Sequence, residues 1–548
     1  MHLRRVFRRS ALRLQGVLAL LVAALLVLAG CGASNNAQPG SGSSGMDSSH
    51  PFGGDLATEG TPQRGGVLRY GMDREPVSMD PAVPGYQIAD YAVYDPLFRM
   101  NAAGDVTPYL AESMTTDDNG ATWTLKLRSG VMFQDDTPLD ADAVVFNVTR
   151  QQQMTRSPGN VYAKWVARMT AVDPLTVRFE LTRPVGVFVN AFALRSNDGT
   201  LGLMASPTAV KKWGADYGRH PVGAGPFSFV DWVPDSRIDV TRFDGYWRKD
   251  KGMPYLDGIQ FRPVPDTEAA YVSVSNGDLD VLICSYQTEI LRGSNNKDLR
   301  TYYYPGNGGE YFYFNFTKAP FDDLRMRQAL VAALDPKAMS VTQYNGFMDP
   351  AQGPFSADSP FYNADAAQQY PRYDQAKAKA LIADYVKSGG DPNFTLSTAN
   401  NPTRTQFAQF VQAQMKAVGV DVELDLQDLG TFSSKVVQGG NFQLSTWVSG
   451  WPTPFPSLVQ LLHTGGSGNY GRYSDPQVDA LLDDAVATTD KARQLADYQQ
   501  VQAIAGKDLA IGWYSRAYTG MLTRGNVKGI VLDIPTGAQV WANAWMSH

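Results

Sequence analysis

Apolar and polar residues alternate with a period of two in three stretches of this chain: Trp123, Leu125 and Leu127; Leu175, Val177, Phe179 and Leu181; and Val420, Val422, Leu424 and Leu426. Such alternation predicts strands with one buried face. Elsewhere the period is close to that of a helix. After Asp475-Pro476, a cap residue followed by proline at the first helical position, Val478, Leu481, Leu482, Ala485 and Val486 fall on one side. Phe407, Phe410, Val411, Met415 and Val418 form a second stripe, closed by Gly419 and followed by the third strand. Helix, glycine, strand is the order of α/β layers. Met326, Leu330 and Leu334 make a third stripe, capped near Asp322. Folding signals open at Gly65-Gly66-Val67-Leu68-Arg69-Tyr70, a strand entry, and continue to the C-terminus without a further low-complexity gap.

The residues before that strand differ in kind. Arg4, Arg5, Arg8, Arg9 and Arg13 precede an apolar run from about Val17 to Ala29, ending in Leu28-Ala29-Gly30-Cys31. As a helix this run would reach only ~20 Å against a hydrocarbon core of ~30 Å, so it reads as a cleaved export signal over residues 1–30. Its end resembles the bacterial lipobox, which implies Cys31 as the lipid attachment point. Gly32 to Gln63 is rich in Gly, Ser, Asn, Gln and Pro and has too little apolar surface to fold; residues 31–63 are expected to form a lipidated tether with a reach of roughly 30 Å. The expected localisation is extracytoplasmic, anchored by lipid to the outer face of the cell membrane.

Composition narrows the classes of function. At 548 residues, 43% hydrophobic and 19% charged, the chain is globular in composition and long enough for two or more lobes. Loss of residues 1–30 removes five arginines and no acid, taking the formal charge from −6 to −11, a balance that excludes nucleic acid as a partner. Cys284 would then be the sole thiol, so no intramolecular disulfide is possible, and its apolar run Asp280-Val281-Leu282-Ile283-Cys284 marks it as buried and structural. The five histidines are scattered, with no His-Glu-x-x-His or Cys-x-x-Cys pair to hold a metal. Gly466-Ser467-Gly468-Asn469-Tyr470-Gly471 has the letters of a dinucleotide loop but lacks the preceding strand and following helix. No nucleophile elbow or Walker loop occurs. No metal, cofactor or catalytic residue is expected, although a hydrolase using a carboxylate pair stays open.

Five blocks occur in one order along the chain: Ser78-Met79-Asp80-Pro81; Gly104 to Ser113 with Asn119 to Arg128, Gly130 to Phe133 and Asp135 to Phe146; Val222-Gly223-Ala224-Gly225-Pro226-Phe227; Phe314-Asn315 with Pro320 to Leu330; and Tyr473 to Leu482. Together they resemble the family 5 extracellular solute-binding proteins of ATP-driven importers, the dipeptide- and oligopeptide-binding group, over essentially everything from Gly65 onward. Most of the block residues read as fold rather than ligand positions, with Gly223 and Gly225 making a turn.

The resemblance implies an α/β, two-lobed periplasmic-binding-protein-like fold of the large three-domain type, with a ligand cleft between domains I and III. Domain I would be 64–107, 222–311 and 512–548, domain II 108–221 and domain III 312–511. Hinge strands are expected near Tyr311-Phe312-Tyr313-Phe314 and Ala510-Ile511-Gly512-Trp513. Pocket positions implied by the match are Arg74, Glu75, Val77 and Ser78; Trp447, Val448, Ser449, Gly450 and Trp451; and Trp513, Tyr514 and Tyr518, giving aromatic walls with few polar groups. Peptide-binding members carry an aspartate three residues beyond the tryptophan matched by Trp447, and here that position is Gly450; Glu75 or Asp73 would have to meet a ligand ammonium instead. The expected function is that of a non-enzymatic, monomeric solute-binding lipoprotein that delivers a di- or oligopeptide to a permease and ATPase complex by hinge closure. Oligosaccharide or other uncharged solute binding, solute sensing without import, and an extracytoplasmic hydrolase are the alternatives.

Overall fold

The computed structural model describes residues 58–85, 88–101, 104–194, 200–534 and 538–547. The signal, Cys31 and all of the tether up to residue 57 lie outside the described residues.

Three sheets organise the chain. The first has seven strands, in the spatial order Leu299–Pro305, Tyr518–Arg524, Val281–Cys284, Val67–Met72, Gly258–Pro263, Arg237–Arg242 and Phe227–Val233. Val67–Met72 at its centre is flanked by two parallel neighbours, and the outer pairs are antiparallel. Both faces are covered, which is why Val281-Leu282-Ile283-Cys284 is apolar without alternation. Val281 and Ile283 join one core cluster, and Leu282 and Cys284 join another. Burial pushes the Cys284 thiol well above its usual pKa, and Glu289 and Asp73 add to the effect, leaving an inert side chain.

A second, four-stranded antiparallel sheet runs Ala111–Thr115, Thr122–Leu127, Thr176–Leu181 and Val166–Asp173. Trp123, Leu125 and Leu127 are buried on its inner face with Val177 and Phe179, as the alternation predicts. Helix Ala141–Gln153 closes that core, its Asp140 cap accepting from the Ala143 amide at 2.9 Å.

The third sheet has five strands: Val422–Gln427, Phe394–Ala399, Leu444–Trp451, Asn307–Phe314 and Gly512–Ser515. The first three are parallel, and helix Pro402–Ala417 joins Phe394–Ala399 to Val422–Gln427 in a βαβ unit. Asn401 caps that helix through the Arg404 amide. Gly419 follows at φ +90°, a left-handed turn that ends it without a Cβ penalty. The helix at Pro476–Ala487 is capped by Asp475, and Leu324–Ala333 by Asp323, one residue beyond the expected cap.

Two antiparallel segments pass directly from the seven-stranded into the five-stranded sheet. Leu299–Pro305 continues as Asn307–Phe314, and Gly512–Ser515 continues as Tyr518–Arg524; the Gly306 amide donates to the Ala517 carbonyl between them. The sheets therefore exchange at Gly306 and Arg516-Ala517, several residues from the positions expected for the crossing. Gly223 and Gly225 also differ from expectation. Neither has a positive φ; they let this segment lie against Val93 and Tyr94, where a Cβ would stand 2.3 and 2.5 Å from Val93 backbone atoms.

Helix Lys491–Lys507 carries Asp497, which is 7% exposed. Burial, and then Asp484 opposite, push its carboxyl up to about 6, while Arg493 acts the other way. The folded chain thus holds this proton more tightly than the unfolded one. The group's contribution is fully favourable below the unfolded carboxyl range and is lost as pH rises through about 6. Asp497→Asn is expected to raise the urea-unfolding free energy by about 1 kcal/mol at pH 7.5, after allowance for solvent and Arg493, with no gain at pH 4. An equal gain at both pH values would show that the carboxyl is not the cause.

Candidate functional site

Strand Leu444–Trp451 pairs along its whole length with Asn307–Phe314 on one side, from Phe314↔Leu444 to Asn307↔Trp451. On the other side it pairs only at Leu444 and Ser445, with Leu396 and Ser397. Thr446 reaches Thr398 through their hydroxyls, 2.7 Å apart, and beyond it the edge over Trp447–Trp451 pairs with no strand among the described residues. The sheet thus ends in a short backbone edge with unused donors and acceptors. Val448 is 44% exposed on this strand and Gly450 is exposed. A Cβ at Gly450 would meet only the Asn307 carbonyl, at 3.5 Å, so the missing carboxylate there is a chemical difference and not a steric one.

The tryptophans are placed otherwise than expected. Trp451, Trp513 and Tyr514 are 1%, 6% and 7% exposed and belong to the core of the five-stranded sheet. Trp451 packs edge-on against Trp513, their centroids 6.1 Å apart, and Trp513 packs on Tyr311 at 4.7 Å. Trp447, Tyr311 and Trp513 share one row across three strands, which puts Trp513 against Tyr311, while Tyr514 packs on the other face against Phe312 and Phe407. Trp447 is half-buried, stacked on Phe432 at 5.7 Å, and the Ser449 hydroxyl lies 3.0 Å from that of Tyr311. The aromatic wall expected from Trp451 and Trp513 is therefore core. Trp513 and Tyr514 do border a cavity of about 300 Å³, together with Met339, Met348 and Tyr370.

Opposite Val448 stands Glu310, and around it lies a group that periodicity did not single out. Arg404 donates from Nη1 to Glu310 at 3.1 Å, Tyr344 donates at 3.0 Å and Tyr514 at 3.4 Å. Burial opposes the Arg404 charge, but the oxygens of Tyr514, Glu310 and Tyr344 outweigh it and raise the guanidinium pKa. Two signals were present in the sequence. Glu310 directly precedes the aromatic run Tyr311-Phe312-Tyr313-Phe314, and Arg404 puts a cation in the first turn of a helix, where the dipole disfavours it unless an acid is near.

The segment Arg74 to Ser78 follows the carboxyl end of Val67–Met72, where ligands gather in open α/β sheets. Arg74 and Val77 are exposed. Glu75 is engaged structurally: it accepts from Trp232 Nε1 at 2.6 Å and from the Asp235 amide at 3.1 Å. Ser78 Oγ accepts from the Asp80 amide, and Asp80, 3% exposed, is paired with Arg150 of helix Ala141–Gln153, which accounts for the Ser78-Met79-Asp80-Pro81 block as fold. Of the two carboxylates expected to meet an ammonium, Glu75 is thus occupied. Asp73 accepts from Ser285 Oγ at 3.0 Å at the end of the adjacent parallel strand. Glu289 lies beside it; burial and Asp73 raise its pKa, against the Tyr286 and Ser285 amides. Tyr518 sits past the sheet exchange and donates to Asp349 at 2.6 Å. Among the histidines, His220 stacks on Trp213 at 3.6 Å and His463 lies between Asp479 and Asp483.

The model of bacterial extracellular solute-binding proteins, family 5 Middle, matches residues 105–469. The chain belongs to this family. The family 5 protein described here is 31% identical over 429 residues to the glutathione-binding protein GsiB of Salmonella paratyphi A, covering 76% of this chain and 81% of that one. Its fold is that of solved structures of the same kind. AgaA from A. tumefaciens R10, in complex with agropinic acid, has a TM-score of 0.74 at 23% identity, over 88% of this chain and 99% of that chain. The oligopeptide-binding protein AppA from Bacillus subtilis, in complex with a nonapeptide, has a TM-score of 0.73 at 23% identity, over 89% and 100%. The family 5 fold is the mixed α/β, multi-domain fold of periplasmic binding proteins, and the family supplies the extracellular solute-binding component of ATP-driven importers.

Proposed function

We propose that this family 5 protein captures a peptide or peptide-like solute by adding its backbone to the open edge of Trp447–Trp451, and delivers it to the importer without chemistry of its own. The observation that carries this reading is the unpaired edge itself. Main-chain hydrogen bonding supplies affinity for an extended backbone whatever its side chains, and pockets beside the strand tune the choice. The relatives that bind glutathione and a nonapeptide are consistent with it. Stacking of sugar rings, by contrast, needs exposed aromatic faces, and Trp451 and Trp513 are buried.

In this reading domain I is 64–107, 222–311 and 512–548, domain II is 108–221 and domain III is 312–511, with the hinge where the two segments exchange sheets at Gly306 and Arg516-Ala517. Asp73, which holds the Ser285 hydroxyl and pairs with the exposed Arg74 at 3.2 Å, is the acid that would meet an ammonium from the domain I side by exchanging that surface partner. Cys31 carries the lipid, and the monomer works tethered outside the membrane. The test is a thermal-shift and calorimetric panel of di- to pentapeptides, glutathione and uncharged oligosaccharides. A peptide at a hundredfold its Kd should add about 2.7 kcal/mol of stability. Stabilisation by oligosaccharides alone, or hydrolysis of any panel member, would overturn the proposal.

A further inference from the structure

Phe455 lies close in sequence to the strand that carries the open edge, yet it belongs to a different core. It is 4% exposed and packs within the cluster of the four-stranded sheet, edge-on to Tyr162 at 5.0 Å and tilted against Trp165 at 5.4 Å. The arm that holds it, Trp451-Pro452-Thr453-Pro454-Phe455-Pro456, has a proline at every second position, and Thr453 Oγ1 donates to the Phe455 carbonyl at 2.9 Å. Proline fixes φ, so such an arm is stiff and carries displacement of the strand to its tip.

Other contacts join the same two bodies. The Gly186 amide donates to the carbonyls of Val486 at 2.9 Å and Ala487 at 3.1 Å, Val486 is itself buried in the cluster of the four-stranded sheet, and a Cβ at Gly186 would stand 1.8 Å from the Thr488 carbonyl oxygen. Thr489 Oγ1 donates to Asn119 at 2.8 Å, and Lys491 pairs with Asp105 at 2.5 Å. Between these contacts lies a cavity of about 640 Å³ bordered from both sides, by Trp123 and Val187 on one and by Phe361, Phe455 and Tyr498 on the other. Permanent interfaces are packed as densely as cores. This one is close-fitting at points and hollow between them, which suits a surface that docks and separates.

We propose that Phe455 is a positioning residue for solute capture: the vacant protein exchanges between a form with Phe455 seated in the four-stranded body and one with it withdrawn, and a solute on the edge at Trp447–Trp451 shifts that exchange toward the seated form. This rests on the edge reading given above. The arm links the two events, because Phe455 cannot leave its socket without moving the end of the strand. Affinity then depends on a contact made outside the solute site.

The experiment uses the full chain with Cys31→Ser; Cys284 is buried and leaves introduced thiols alone. Spin labels at Thr170→Cys and Lys416→Cys, both exposed, report the distance between the two bodies. Phe455→Ala should shift the distance distribution toward a longer population in the absence of any solute. In a separate protein, Asp105→Cys and Lys491→Cys joined by a short bis-maleimide cross-linker, each thiol adding across one alkene, should release a fluorescent tripeptide at least tenfold more slowly than the uncross-linked form. Should Phe455→Ala fail to fold by circular dichroism, Phe455→Leu and the cross-linked protein carry the test. Unchanged distances in the folded variant, or release unaffected by the cross-link, overturn the proposal. If no peptide binds at all, the peptide reading fails while the distance distributions still decide whether Phe455 holds the bodies together.

Discussion

Glu310→Leu is expected to lower the unfolding free energy by about 3–5 kcal/mol, because it strands a guanidinium that is mostly withdrawn from water. With Glu310 gone, Arg404 retains only the Tyr514 hydroxyl, at 3.5 Å, among the partners of this cluster. The reverse change is milder. Arg404→Met leaves Glu310 accepting from Tyr344 at 3.0 Å and Tyr514 at 3.4 Å, and it removes a cation from a helix N-terminus. The double variant should recover most of the loss, since replacing both partners of a buried pair by apolar groups of similar size is often neutral. Equilibrium urea unfolding of the four proteins gives the coupling directly. If Glu310→Leu costs under about 1 kcal/mol, the pair is screened like a surface bridge and the cluster does not hold this end of the sheet.

What could be read from the sequence was whatever depends on near neighbours. Trp123, Leu125 and Leu127 declare a buried strand face by alternation, Asp475-Pro476 declares a helix start, and Gly419 declares a helix end; each is a local matter of geometry and capping. Blocks in a fixed order carried the family. The rest depends on pairing between distant segments, which periodicity does not contain. Trp451 looks like a pocket wall beside Gly450 and Pro452, but it packs on Trp513, which lies in register with Tyr311 inside the layer. Gly223 and Gly225 look like a turn and serve a close approach to Val93. Glu75 looks available until Trp232, far along the chain, claims it. The sheet exchange at Gly306 falls beside glycine-rich sequence, Gly306-Asn307-Gly308-Gly309, a signal that was there to be used. Arg404 in a first helical turn was another.

The largest effect on binding is expected from the ligand's backbone rather than from any side chain of the protein. Take a pentapeptide that the panel shows to bind, and methylate its amide nitrogens one at a time. A methyl group removes a donor, leaves a carbonyl of the Trp447–Trp451 edge without its partner, and puts a carbon between the two backbones. The lost bond and the orphaned acceptor together amount to roughly 2–4 kcal/mol, or about 30- to 1000-fold in Kd. In an extended strand successive N–H groups point to opposite sides, so the loss should fall on alternate nitrogens and spare those between. That alternation discriminates between mechanisms. Binding through side-chain pockets would make sensitivity follow the bulk at each position, and binding through the two termini would confine it to the ends. Isothermal titration of the methylated series reads the pattern, and equal tolerance at every nitrogen would mean that the open edge of this sheet does not take the solute.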